Sequence, residues 1–377
     1  MLDVLVAGAG PAGSLAAWRL ARAGARVVIV DRERFPRPKL CGDTLNPGAV
    51  ALLESLGLGG GPLASAPRLT GMRISGPRTH ITARYGAGLA GVAVMRTVFD
   101  DWLLGQAVAA GAKFESGVNV RAANVDTSSS EPTVRGVTLI TRDGATVRMP
   151  ALLTIAADGR ASAVARSVGL VRHPAAPRRW ALGAYLSGVD GLSDLGEMHI
   201  RGRSYIGIAP IGGGLANVCV VAGRAAVAGP ATDVFWARLR AEPELGRRFS
   251  GALLESPVTS IGPLAVNCDA PGMNGLLLAG DAAGFVDPMT GDGLHLAMRG
   301  ALLAADEALV ALERGTAEGS VARLAAARRR ALDRKLRFNR TLRGLVDMPS
   351  ALDVASIGAR VAPGFVRWAV RYAGDAA

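Results

Sequence analysis

The first thirty-odd residues constrain the fold more than any other stretch. An apolar run, Leu2 to Ala7, leads straight into Gly8-Ala9-Gly10-Pro11-Ala12-Gly13; a helical pattern then runs to Gly24, and a second apolar run, Arg26 to Val30, ends at Asp31. Strand, glycine turn, helix, strand and terminal acid in that order predict a βαβ unit that binds a dinucleotide. Gly8 allows the tight turn and Gly10 lets a pyrophosphate approach the backbone beside Pro11 and Ala12. Gly13 brings the helix close to the strand. The helix N-terminus offers free N–H groups and the positive end of a dipole to the phosphates. Asp31, followed by Arg32, sits where a carboxylate accepts hydrogen bonds from both adenosine ribose hydroxyls.

A chain of 377 residues is long enough for two domains sharing a large core, and a composition that is 50% hydrophobic suits a buried sheet. The formal charge of +12 points to an anionic partner such as nucleotide phosphates or acidic lipid headgroups. No basic run is interleaved with aromatics as in a nucleic-acid motif, so nucleic acid is not expected. Cys41, Cys219 and Cys268 are far apart and form no Cys-x-x-Cys, which reads as a reduced, cytoplasmic protein. The four histidines show no ligand spacing, so no metal is expected. Asp3, Arg19 and Arg22 argue against a signal peptide, and no uninterrupted apolar span is long enough to cross a bilayer.

Beyond Asp31, a proline-broken loop runs to Asp43, and short helices are expected from Pro47 to Leu56 and from Arg96 to Ala110. Arg68 to Val94 reads as β-structure. Val118 to Ile155 reads as a three-stranded meander turning at Asp126 to Pro132 and at Asp143-Gly144. Its last strand runs into Asp158-Gly159-Arg160. A second β-rich block spans Trp180 to Val221, with a helix from Asp233 to Arg240. The fully apolar strand Gly275 to Ala279 delivers Gly280-Asp281, Pro288 and Gly291-Asp292-Gly293 at the head of a long helix, and a basic helical tail follows. The predicted class is α/β: a Rossmann-like nucleotide domain with a β-meander (1–70, 96–170 and 268–315), interleaved with a β-sheet-rich substrate domain (71–95 and 171–267), then a helical C-terminal region (316–377).

Asp281 stands at the carboxyl end of a strand, where it can bind a polyol such as the ribityl chain of FAD. The helix beginning at about Gly291 can aim its dipole at the pyrimidine edge of an isoalloxazine and stabilise negative charge on the reduced ring. Pro288, Gly291 and Gly293 leave room for a flat ring against bare backbone.

Taken in order and spacing, Gly8 to Gly13 with Asp31, Asp158-Gly159 with Arg166, and Gly280-Asp281 through Pro288 resemble the flavoprotein monooxygenase superfamily built on the para-hydroxybenzoate hydroxylase fold. Within it, Phe35-Pro36-Arg37 with Lys39-Leu40-Cys41-Gly42, and Asp281-Ala282-Ala283-Gly284, resemble the geranylgeranyl reductase-like branch. The resemblance implies bound FAD, with Asp31 on the ribose, Arg96 and the Val120 backbone near the adenosine half, Asp158 by the pyrophosphate and Asp281 by the ribityl chain. Lys39, Cys41 and Gly42 would lie near the isoalloxazine, and NAD(P)H is the expected electron donor. The Tyr-x-Trp-x-Phe-Pro stretch of prenyl reductases is reduced here to Tyr205 and Pro210.

The expected reaction is therefore NAD(P)H-dependent hydroxylation of a lipophilic aromatic or polyketide-derived compound by oxygen bound at flavin C4a. The alternatives are reduction of an isoprenoid or quinone side-chain alkene, and a non-catalytic flavin- and lipid-binding protein. Cys41, Lys39 and Tyr205 are the catalytic candidates. Plainer readings stand beside them: packing for Cys41, helix capping for Asp292, core for Tyr205, Trp180 and His295, and solvation for Arg160. The Arg-rich tail with Phe365 to Tyr372 suggests peripheral contact with an anionic membrane or, more simply, a solvated helix face.

Overall fold

Strand β1 (Leu2–Ala7) is apolar on both faces from Val4 to Ala7, where both are covered. In the computed structural model, which describes residues 2–76, 79–86, 88–128, 130–174, 178–346 and 363–375, β1 is the centre of a parallel layer. Helix α1 (Pro11–Arg22) returns the chain to β2 (Val27–Asp31) beside it, and β1 pairs on its other edge with a strand more than a hundred residues away. Along β1 the side chains alternate. Val4 and Val6 pack into a core with α1, while Leu5 and Ala7 pack into a second core on the opposite face.

The next elements are α2 (Pro47–Ser55), β3 (Gly71–Gly76), β4 (Thr79–Arg84), α3 (Arg96–Ala109) and β5 (Lys113–Ser116). The meander follows as β6 (Asn119–Asp126), β7 (Thr133–Ile140) and β8 (Thr146–Ala156), and Ser129 of its first turn lies outside the described residues. β8 is the distant partner of β1, so the meander closes over the face of the layer opposite α1 and α3.

The second sheet carries β9 (Arg179–Ser187), β10 (Leu195–Arg201), β11 (Ser204–Gly212) and β12 (Leu215–Gly223), backed by α4 (Ala231–Arg240). β3 pairs in parallel with β10, and β4 pairs with β3, so these two strands leave the first layer and complete the second sheet. One face of this sheet packs Leu182, Ile206 and Val218 against Phe235 and Leu239 of α4. From the other, Ala181, Tyr205 and Val221 pack with Leu264 and Met289. The chain then returns through β13 (Leu276–Leu278), parallel to β8, to α5 (Gly293–Arg314), α6 (Ser320–Val346) and α7 (Pro363–Ala373).

Two short helices, Pro62–Ser65 and Pro243–Arg248, had no counterpart among the expected elements; each has proline in its first turn, where a missing N–H costs nothing. The long helix begins at Gly293 rather than Gly291, because Gly291 takes a left-handed turn at φ +67°. Among the described residues no helix is long and apolar enough to cross a membrane.

Candidate active site

Between the parallel layer and the second sheet lies a cavity of about 660 Å3. The strand ends of β1, β2, β8 and β13 all open on it, as expected where a parallel sheet presents its carboxyl ends. Gly8, Gly10, Pro11, Ala12, Asp31, Arg32, Lys39, Cys41, Gly42, Arg96, Val120, Asp158, Gly159, Tyr205, Gly280, Asp281, Pro288, Gly291 and Gly293 line it. Gly13 and Asp292 do not. A Cβ on Gly13 would stand 1.8 Å from the Gly8 carbonyl oxygen, so this glycine acts by letting α1 sit against the turn rather than by facing a ligand.

One end is a cradle of bare backbone. A Cβ on Gly10 would meet only Arg37 Nη2, at 3.4 Å, and one on Gly159 would meet nothing within 4 Å. Asp31 is oriented by the main chain: Oδ2 accepts from Ala9 N at 2.7 Å and Oδ1 from Glu33 N at 2.9 Å. Each oxygen keeps a further lone pair for a ribose hydroxyl. Asp158 Oδ2 accepts from Ala163 N at 2.8 Å, which fixes the loop after β8 to the short helix that follows. Glycine backbone, the N-terminus of α1 and the oriented Asp31 carboxylate together fit the adenosine diphosphate half of FAD.

The middle of the cavity is cationic. Arg96 is buried and forms a bidentate pair with Asp100, Nε to Oδ1 at 2.6 Å and Nη2 to Oδ2 at 2.7 Å, one turn along α3. Arg37 stands 3.4 Å from the same carboxylate. Lys39 is reached from the cavity. Although Lys39 is exposed, desolvation by the cavity walls, then Arg96 and Arg37, push its ammonium below the usual lysine range, with Asp281 opposing. Burial raises the Asp281 carboxyl, while Lys39, Arg96 and Arg160 favour its charged form. Arg160, expected on the solvated surface, is half-buried at the cavity wall and donates to the Pro263 carbonyl. The excess of positive charge suits a pyrophosphate.

The other end is apolar, walled by Leu40, Leu69, Met72, Tyr85, Met198, Val221, Ile261, Leu264, Phe285 and Met289. Polar groups there are tied up. Tyr205 is buried, and its hydroxyl donates to Asp287 Oδ1 at 2.6 Å. Asp287 Oδ2 accepts from Arg179 at 2.9 Å. Asn217 Nδ2 donates to the Cys41 carbonyl and to Asp43 Oδ2, both at 2.8 Å. Tyr185 donates to the same Asp43 oxygen at 2.6 Å. Burial pushes the Asp43 carboxyl up to about 6 against these bonds, and it also pushes the Cys41 thiol up. Burial thus favours the thiol form of Cys41 over the thiolate at the cavity wall.

Asp292 departs from the expected cofactor contact. Its buried carboxylate accepts from Thr290 Oγ1 and, at 2.7 Å, from Asn339 Nδ2 of α6, with Lys335 Nζ 3.6 Å away. It makes no side-chain cap either, because the left-handed turn at Gly291 turns it towards α6. His295 is the satisfied core residue expected, with Nδ1 2.7 Å from Asp375 Oδ2. Trp180 lies outside the cavity lining, under the Arg224 guanidinium.

Asp43, Asn217 and the Arg179–Asp287 pair were not singled out from sequence; the available signal was a polar residue inside an apolar strand, as at Asn217. Glu197 was missed too. It bonds His199 Nε2 at 2.8 Å and both Nη atoms of Arg248, and Ser75 Oγ lies 2.7 Å from His199 Nδ1. The order Ser–His–Glu is that of a hydrolase, but Ser75 is 1% exposed and reaches no substrate.

Residues 1–338 match the family model described as an FAD binding domain. The menaquinone reductase of Mycolicibacterium smegmatis is 32% identical over 318 residues, covering 81% of this chain and 75% of that protein. Digeranylgeranylglycerophospholipid reductase 2 of Methanopyrus kandleri is 32% identical over 319 residues, covering 82% of this chain and 78% of the other. Among solved structures, a geranylgeranyl bacteriochlorophyll reductase-like protein from Thermoplasma acidophilum superposes with a TM-score of 0.78 at 23% identity, covering 93% of this chain and 88% of that one, a likeness of fold. With the glycine cradle, the oriented ribose carboxylate and the cationic middle in one cavity, this chain belongs to the FAD-binding-domain family as an FAD-dependent oxidoreductase of the geranylgeranyl reductase-like branch.

Proposed function

We propose that this oxidoreductase saturates a carbon–carbon double bond in the isoprenoid chain of a quinone or a lipid. The observation that carries the reading is the cavity itself: the FAD cradle and a wall of Leu, Ile, Val, Met and Phe side chains line one continuous space, and such a wall suits an alkyl chain. The names of its relatives support reduction over the hydroxylation that the sequence put first.

FAD would be held by Gly8 to Ala12, Asp31, Asp158 and Asp281, and when bound and reduced it supplies a hydride to one alkene carbon. The residues of this chain do the rest. Gly291 and Gly293 present the N-terminus of α5 to the cavity, and its dipole favours negative charge there. The apolar wall excludes water from the alkene. The second alkene carbon needs a proton, and the Cys41 thiol, kept protonated by burial, holds one at Sγ. One hydride and one proton complete the saturated bond.

The test is anaerobic incubation of the pre-reduced holoenzyme with menaquinone, scored by a mass gain of two hydrogens. Hydroxylation remains the second reading, favoured by one observation: the stretch Tyr205 to Pro210 keeps only the first and last residues of the prenyl-reductase pattern. It requires labelled oxygen in the product formed in air. We extend the proposal to NAD(P)H as the donor, tested by bleaching of the flavin spectrum under nitrogen.

A further inference from the structure

Helix α6 carries nine basic residues and a single acidic one, Asp333. Arg334, Arg337 and Phe338 fall at i, i+3 and i+4, so they share one face, and Arg330 extends that stripe by a turn. Arg330, Arg334 and Arg337 are exposed. Phe338 meets α7: its ring lies 4.8 Å from Tyr372 and 6.2 Å from Trp368, and the latter two rings stack at 5.3 Å. Trp368 is nonetheless 47% exposed, flanked by the exposed Arg367 and Arg371. α7 contains no acidic residue.

The inner side of α7 does something different. Val370 packs on Tyr85, which lines the apolar end of the cavity, and a Cβ on Gly374 would stand 2.5 Å from the Tyr85 ring. One short amphipathic helix thus backs Tyr85 at the apolar end of the cavity with one side and shows an aromatic ring set among arginines with the other.

We infer that the α6–α7 surface docks on an anionic lipid bilayer, with Trp368 at the headgroup level and Arg330, Arg334, Arg337, Arg367 and Arg371 against lipid phosphates. A tryptophan with an apolar body and a polar N–H suits that interface, and arginine pairs with phosphate bidentately. Docking in this orientation sets the apolar end of the cavity against the bilayer, the phase in which a lipophilic substrate resides.

The experiment is flotation of the full-length holoprotein with phosphatidylcholine vesicles, with and without phosphatidylglycerol. The wild type floats with the anionic vesicles only. Trp368→Ala lowers binding at least tenfold, and Arg334→Gln with Arg337→Gln lowers it about twenty-five-fold, near fivefold for each positive charge lost. Unchanged FAD absorbance in both variants certifies their fold. Wild-type protein that stays with the soluble fraction, or that binds both vesicle types equally, overturns the inference, as does equal binding by both variants. Turnover of a water-soluble short-chain quinone is unaffected in these variants, so failure of docking and failure of the reductase reading are scored separately.

Discussion

The Tyr205 hydroxyl donates to Asp287 Oδ1 at 2.6 Å while Arg179 holds the other oxygen of that carboxylate at 2.9 Å, all three residues being buried where β9 and β11 meet the turn before α5. Met289 N also donates to Asp287 Oδ1, at 3.1 Å. The carboxylate therefore ties the second sheet to the turn that presents Pro288 and Gly291 to the cavity. Asp287→Ala strips Arg179 of its buried carboxylate and should cost about 3 kcal/mol or more. Tyr205→Phe removes one donor and should cost about 1 kcal/mol. Denaturant midpoints of the two variants check the order; an equal or larger loss in Tyr205→Phe contradicts it.

Asp281 and Asp292 stand eleven residues apart in sequence and differ in what they face. Asp281 lines the cavity beside Lys39 and Arg160, whereas Asp292 is bonded to Asn339. Asp281→Ala should weaken FAD retention at least tenfold, about 1.4 kcal/mol, with little change in stability. Asp292→Ala should keep its FAD and lose on the order of 1–3 kcal/mol of stability, because Asn339 is left buried without its acceptor. Ultrafiltration with flavin absorbance, and thermal unfolding, separate the two.

Asp43 makes a pH prediction. Its folded carboxyl is pushed up to about 6, above the roughly 3.9 of an unfolded chain, so the folded state binds this proton more tightly. The stability it brings is fully present below about pH 4 and lost as pH rises through about 6, a change of about 3 kcal/mol. Asp43→Asn does not titrate. The stability of that variant relative to wild type should therefore rise by about this amount from pH 4 to pH 7, and a flat difference in urea midpoints contradicts the assignment.

What could be read in the sequence followed local rules. Gly8, Gly10, Pro11, Ala12 and Asp31 are bound by backbone geometry within one βαβ unit, so local spacing was enough to bring them around one cavity. The same holds for Gly280-Asp281 at the end of an apolar strand. Interactions across long sequence separations were not legible: Tyr185 and Asn217 meet Asp43 across more than 140 residues, and Asn339 meets Asp292 only because α6 folds back along α5. Asp292 was misread for that reason. A carboxylate next to a helix start points to a cap or a ligand, and neither spacing nor propensity reveals a partner helix arriving from the tail.

Under the proposed function, the chemistry done over this apolar wall adds hydrogen and no oxygen. The most direct measurement is single turnover of the pre-reduced holoenzyme with menaquinone under strict anaerobiosis, followed by mass spectrometry, with a parallel reaction in labelled oxygen. The expected product forms without oxygen and is two hydrogens heavier, with no label in the parallel sample. Product formed only in air and carrying one labelled oxygen atom would contradict it.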